Sequence, residues 1–66
     1  METIYAAEVV YSEETTDGWR IRTRLEAFAE YKDAVQYVDS WAHYYRNEEH
    51  YRFKIGQVHE IKKVVA

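Results

Sequence analysis

The chain of 66 residues contains no cysteine and no proline, and only two glycines. Without cysteine it cannot form a disulfide scaffold or a thiolate zinc site, the usual stabilisers of small domains. Its two glycines, Gly18 and Gly56, cannot supply a glycine-rich phosphate loop. No apolar run is long enough to span a bilayer, and Met1 leads directly into polar sequence, so we expect neither a signal peptide nor a membrane segment.

Aromatic side chains are abundant: the sequence has seven Tyr, two Trp and two Phe. A net charge of −3 argues against a general nucleic-acid coat but permits a local basic patch. The hydrophobic fraction of 47% is typical of a globular chain. No repeat or linker divides the sequence. We therefore predict one cytoplasmic domain over residues 1–66, with a small core.

Two segments predict a β-hairpin. Residues 19–27 have apolar or β-branched side chains at odd positions and charged ones at even positions, the period of a strand with one solvated face. The stretch Ile4 to Ser12 is rich in Val, Tyr and Ala and predicts a strand before it. Between them, residues 13–18 end in Asp17-Gly18 and predict a longer-than-minimal loop.

A register that places Glu8 opposite Arg22, between Arg20 and Arg24, gives favourable charge pairing across the hairpin. The same register puts the large odd-numbered side chains together on the core face. Its pairs are Tyr11 with Trp19, Val9 with Ile21, Ala7 with Thr23 and Tyr5 with Leu25.

The apolar spacing becomes helical from Tyr31 to about Glu48. Asp33 suits the start of a helix and Asn47 its end. One stripe contains Ala34, Val35, Val38, Trp41, Ala42 and Tyr45.

The segment Tyr51 to Val65 first alternates as a strand does, until Gly56 indicates a bulge or a turn. A short helix over residues 58–65 remains an alternative for its second half. With a right-handed crossover, the elements predict an α+β fold: a three-stranded antiparallel sheet of order 2-1-3 (ββαβ) with one helix across one face.

The predicted uncovered face of the sheet is rich in arginine. It is either an ordinary solvated face or a binding face for an acidic protein or a nucleic-acid backbone, since interfaces favour Arg. RNA would also need stacking rings there, and this register puts the rings on the other side. Its residues are Ile4, Ala6, Glu8, Val10, Arg20, Arg22, Arg24 and Glu26, joined by Arg52 and Lys54.

A second candidate surface lies on the helix flank, where Tyr37, Trp41 and Tyr44 are near one another. These rings either complete a small core or form a ridge that binds a partner protein or a second copy of the chain. Dimerisation through this ridge or through the uncovered sheet face is one of our hypotheses.

The sequence predicts neither a metal-binding site nor a catalytic site. The acidic loop lacks the ligand pattern of an EF-hand, and His43 and His50 are too far apart to share an ion, while His59 lies on another element. Ser40 has Asp39 and His43 beside it only along one exposed helix face, which is no catalytic triad. We expect no cofactor and no enzymatic activity.

The hairpin leads into a helix that begins Glu30-Tyr31-Lys32-Asp33-Ala34-Val35-Gln36-Tyr37-Val38, and a closing strand follows. In architecture and size the chain resembles the small ββαβ proteins that bacteriophages use against host enzymes, such as inhibitors of RNA polymerase, phage antitoxins and some anti-CRISPR proteins. The resemblance implies a stoichiometric binder.

The leading hypothesis is therefore a non-catalytic protein-binding module, an inhibitor or adaptor of phage or mobile-element origin that acts in the cytoplasm. A small nucleic-acid-binding domain and a structural subunit are the alternatives. The expected partner-binding residues are Arg20, Arg22, Arg24, Tyr37, Trp41 and Tyr44.

Overall fold

The structure, a computed structural model, describes residues 2–63. The three strands form one antiparallel sheet of order β2-β1-β3, and the helix packs against one face of it, so the predicted α+β fold is confirmed. In chain order the elements are β1 (Glu2–Thr15), β2 (Gly18–Phe28), α1 (Tyr31–Arg46) and β3 (Tyr51–Lys63).

The hairpin between β1 and β2 turns within two residues, Thr16 and Asp17. The Thr15 hydroxyl donates to the carbonyl of Gly18 at 2.7 Å and accepts from the Asp17 N–H at 3.3 Å. Gly18 takes a φ of 110°, which favours glycine over other residues. The predicted longer loop is therefore wrong, and both strands continue almost to the turn.

The shorter turn also makes the predicted register wrong. Tyr11 lies opposite Arg22, and Glu8 lies opposite Leu25. The pairing differs from the prediction by three residues, and an odd shift exchanges the two faces of a strand. The odd residues of β2 therefore lie on the uncovered face. In place of the predicted partners, Val9 is opposite Arg24, Ala7 opposite Glu26, Tyr5 opposite Phe28 and Trp19 opposite Glu14.

Helix α1 begins and ends close to the predicted positions. Asp33 lies in its first turn, and Arg46 in its last turn complements the helix dipole. Asn47 ends the helix: its backbone N–H donates to the carbonyl of Tyr44 at 3.2 Å, and its side-chain amide donates to the carbonyl of His43 at 2.8 Å. The most deeply buried residues of the helix are Ala34, Ala42 and Tyr45.

Strand β3 continues to Lys63, so residues 58–63 are not the helix that we kept as an alternative; residues 64 and 65 of that prediction lie outside the described part. Val10 pairs with Ile55 and Tyr11 with Phe53, which makes Lys54 the extra residue of a bulge. Gly56 stays paired, opposite Val9.

The need for glycine at position 56 comes from the helix above it. A Cβ there would overlap Cγ1 of Val38 and lie 3.2 Å from Cζ of Phe53. Glycine thus permits the close approach of α1 to β3. The fully buried core that results is small: among hydrophobic residues it contains Ala7, Val9, Ala34, Ala42 and Tyr45.

Candidate functional site

The arginines of β2 lie on the helix side of the sheet, where the register places them, and not on the uncovered face as predicted. Helix α1 packs mainly over β1 and β3 and has the fewest contacts with β2. Because of this offset, the helix-side surface of β2 remains open to solvent. The side chains of Arg20 and Arg22 there are 59% and 56% exposed.

Arg24 joins this strand to the helix. Its Nε donates a hydrogen bond to the hydroxyl of Tyr45 at 2.8 Å, and its guanidinium carbon lies 4.1 Å from the centre of the Trp41 ring. Tryptophan is the most favourable aromatic partner for a cation–π contact with an arginine. Two groups that we predicted on different surfaces, the arginines and the helix rings, therefore lie together.

Aromatic contacts hold the helix rings in place. The Trp41 ring lies 6.2 Å from that of Tyr37 and 5.4 Å from that of Tyr44, both edge to face, and it stacks on Tyr45 at 5.4 Å. Tyr44 is 45% exposed, whereas Tyr37 and Trp41 are half-buried. We call the combined patch the arginine–aromatic surface; it consists of Arg20, Arg22, Arg24, Tyr37, Trp41 and Tyr44.

Two of the arginines have carboxylates beside them. Arg22 Nε lies 3.2 Å from Glu13 Oε2, and Arg20 lies 3.8 Å from Asp17. Exposed ion pairs of this kind contribute little to stability, so they can exchange for a partner's carboxylates. They also reduce the positive potential that a phosphate backbone would meet.

Tyr45 is buried, and burial raises its pKa to about 12, although the hydrogen bond from Arg24 acts in the opposite direction. The folded chain therefore holds the Tyr45 proton up to about pH 12, whereas the unfolded chain releases a tyrosine proton near pH 10.

Alkaline pH should consequently weaken the fold. Because the unfolded state loses this proton first, we expect the free energy of unfolding to fall as the pH rises from 10 to 12, by about 2 kcal/mol in all. Urea unfolding at several pH values measures this. Tyr45→Phe is the control and should flatten the decline; an equally steep decline in that variant would contradict the assignment.

The uncovered face of the sheet, which we call the open face, has large apolar side chains among its polar ones. The prediction placed the β1 residues Ile4, Ala6, Glu8 and Val10 on this face correctly, but it assigned the wrong residues of β2 to it. The signal that could have revealed it is Asp17-Gly18, which favours a two-residue turn over a longer loop. A two-residue turn at Asp17-Gly18 would differ from the observed pairing by two residues, and an even difference puts the same side chains of β2 on the open face. The large apolar members of the open face are Ile4, Val10, Trp19, Ile21, Leu25, Ile55 and Ile61.

Two carboxylates of the open face are each in contact with a histidine. Glu8 Oε1 lies 3.1 Å from His59 Nε2, and Glu14 Oε1 lies 2.9 Å from His50 Nδ1. The contact with Glu14 raises the pKa of His50 above its usual value. Arg52, which we correctly placed on this face, lies 4.3 Å from the centre of the Trp19 ring.

Metal sites, pockets and membrane-spanning helices are the other functional features that the described residues could contain. Between positions 2 and 63, no group of three or more His, Asp or Glu side chains could hold a metal ion. A shallow depression is lined by Phe28, Asp33, Gln36, Tyr37 and Ser40. No helix of this part of the chain is long and apolar enough to cross a membrane.

Comparison of the chain with protein-family models, with curated proteins and with solved structures gave no match in any of the three.

Proposed function

We propose that this chain is a non-catalytic protein-binding module that acts by covering a surface of a partner protein. The observation that carries the proposal is the arginine–aromatic surface, in which Arg24 bridges Trp41 and Tyr45. Tryptophan, tyrosine and arginine are the residues most enriched among those that dominate binding energy at protein interfaces.

The rigidity of this surface also supports the proposal. The contacts of Trp41 with Tyr37 and Tyr44 restrict the rings before a partner arrives, so less conformational entropy is lost on binding. The exposed guanidiniums of Arg20 and Arg22 match carboxylates, which they can hold in bidentate geometry. The partner surface that fits best therefore has an apolar or aromatic group beside acidic side chains.

We extend the proposal to an inhibitor or adaptor of phage or mobile-element origin that covers a surface of a host protein. This extension rests on the likeness in architecture and size to the small ββαβ phage proteins. The residues around Ser40 support a non-catalytic role, because Asp39 and His43 lie beside it on an exposed helix surface that excludes no water.

The test is capture of a partner followed by a measurement of affinity. The immobilised chain is exposed to a bacterial lysate, retained proteins are identified by mass spectrometry, and the purified partner is titrated by calorimetry. The variant Arg22→Ala/Tyr44→Ala should bind at least about thirtyfold more weakly, because each side chain is a candidate binding hot spot.

A matched control is available at the other end of the helix. Tyr31→Ala/Lys32→Ala removes one tyrosine, 58% exposed, and one exposed base, as the test variant does. We expect it to bind as the parent chain does. Equal loss of binding in both variants, or in neither, would contradict the role of the arginine–aromatic surface.

Nucleic-acid binding remains the second candidate, and one observation favours it: arginines and aromatic rings occur on the same surface. Single-stranded nucleic acids bind to such surfaces by stacking and by phosphate contacts. Anisotropy of a labelled single-stranded oligonucleotide at several salt concentrations separates the two candidates. Binding that weakens steeply with salt and is lost in Arg20→Ala/Arg22→Ala/Arg24→Ala would replace the protein-binding proposal.

A further inference from the structure

The open face holds most of the large exposed hydrophobic side chains of the described residues. Ile21 and Leu25 of β2 are 73% and 65% exposed, and Ile55 and Ile61 of β3 are 49% and 44% exposed. Trp19 is 39% exposed, and Ile4 and Val10 of the central strand lie half-buried between the two edge strands. Val10, Ile21, Leu25 and Ile55 lie in neighbouring rows of the sheet. Exposed apolar side chains that cluster in this way mark an interaction surface.

The core on the helix side of the sheet is too small to offset the unfavourable free energy of this exposed apolar surface. Its fully buried hydrophobic residues are few, and three of them are alanines. Domains of this length are only marginally stable even with a well-filled core, and many gain stability by association. A partner needed for stability has to be present whenever the chain is made, and a second copy of the chain meets this condition.

The dimensions of the face fit such a pairing. The central strand has 14 residues and spans about 48 Å, and three strands about 4.8 Å apart cover about 14 Å. The face therefore offers roughly 600 Å² on each copy, and two faces would bury roughly 1,200 Å². This is the lower end of the range for stable, specific interfaces.

The charges of the open face fit a second copy as well. Glu8 is beside His59 and Glu14 is beside His50, while the cation of Arg52 lies over an aromatic ring. Because acids and bases alternate here, two identical faces can meet without a repulsion between charges of one sign. A partner with strong charge of either sign would have no matching patch.

We propose that two copies of the chain pack with their open faces together and form a sandwich of two three-stranded sheets. The sheets lie about 10 Å apart, with the helices on the outside. Ile21, Leu25 and Ile55 then become core residues. The arrangement goes beyond the proposed function and is independent of it: the arginine–aromatic surface stays exposed and is presented twice.

Analytical ultracentrifugation between about 1 and 100 µM tests the proposal. The parent chain should sediment as a dimer. Leu25→Glu and Ile55→Glu, tested separately, should each raise the dimer dissociation constant at least about 100-fold, because each buries an unpaired carboxylate in the interface. Gln36→Glu, an exposed helix position off the open face, is the control and should remain dimeric.

The two variants distinguish the face from the edge of the sheet. If Leu25→Glu alone abolishes the dimer, the copies join along the edge of β2 and the proposed sandwich is overturned. If the glutamate variants fail to fold, the parent chain supplies a second measurement. Its melting temperature should rise with protein concentration, as linked association requires. A melting temperature independent of concentration, or a monomer at every concentration, would overturn the proposal.

Discussion

Tyr45→Ala is expected to lower the free energy of unfolding by about 3 to 5 kcal/mol, as for other large buried aromatic side chains. Tyr45 is only 2% exposed; its ring stacks on Tyr11 with centroids 4.2 Å apart and on Trp41 at 5.4 Å. The variant also leaves Arg24 without its hydroxyl acceptor. Since a domain of this length has roughly 3 to 10 kcal/mol of stability, this one substitution should remove a large share of it.

Urea unfolding at one protein concentration, followed by tryptophan fluorescence and circular dichroism, measures this loss. The neighbouring Tyr44→Ala is the control: Tyr44 is 45% exposed, so its removal should cost no more than about 1 kcal/mol. Similar costs for the two variants would mean that Tyr45 is not the centre of the core.

Gly56→Ala should also destabilise the fold strongly, by about 2 to 3 kcal/mol, although alanine is normally no worse than glycine in a strand. The new methyl group would overlap Cγ1 of Val38, and the helix would have to move away from β3. The residues of β3 keep their pairing partners in this variant. The loss of unfolding free energy should therefore come from the displaced packing of the helix on β3. Urea unfolding gives the difference.

A double-variant cycle identifies the cause. Val38→Ala removes the overlapped atom, so Gly56→Ala should cost at least about 1 kcal/mol less in that background than in the parent chain. Glu60→Ala, at an exposed position of β3 on the helix side of the sheet, should change stability by no more than about 0.5 kcal/mol. Additive costs in the cycle would show that steric overlap with Val38 is not the reason.

Elements and topology were predictable because their signals are local. The alternation in residues 19–27 and the helical spacing after Tyr31 each depend on side chains close together in sequence. The sheet order followed from the crossover rule, which leaves few arrangements for two strands, a helix and a third strand. Asn47 was also recognisable as a helix end, since its amide bonds locally.

The candidate surfaces were predictable only in part. The aromatic ridge of Tyr37, Trp41 and Tyr44 is present on the helix as expected, because its spacing is helical. The contact between this ridge and Arg24 was not predicted, because it depends on which side of β2 faces the helix. The role of Gly56 was unpredictable for a similar reason: the sequence marks an interruption but does not show the helix above it.

Spacing along the chain was thus sufficient to give the type and order of the elements, since turns and periodicity involve neighbouring residues. The faces of the sheet depend on contacts between distant residues. A two-residue turn at Thr16 and Asp17 set the pairing of β1 with β2, and an odd shift in pairing reverses every side chain of a strand. The helix then covered β1 and β3, which left an apolar face on one side and the arginine–aromatic surface on the other.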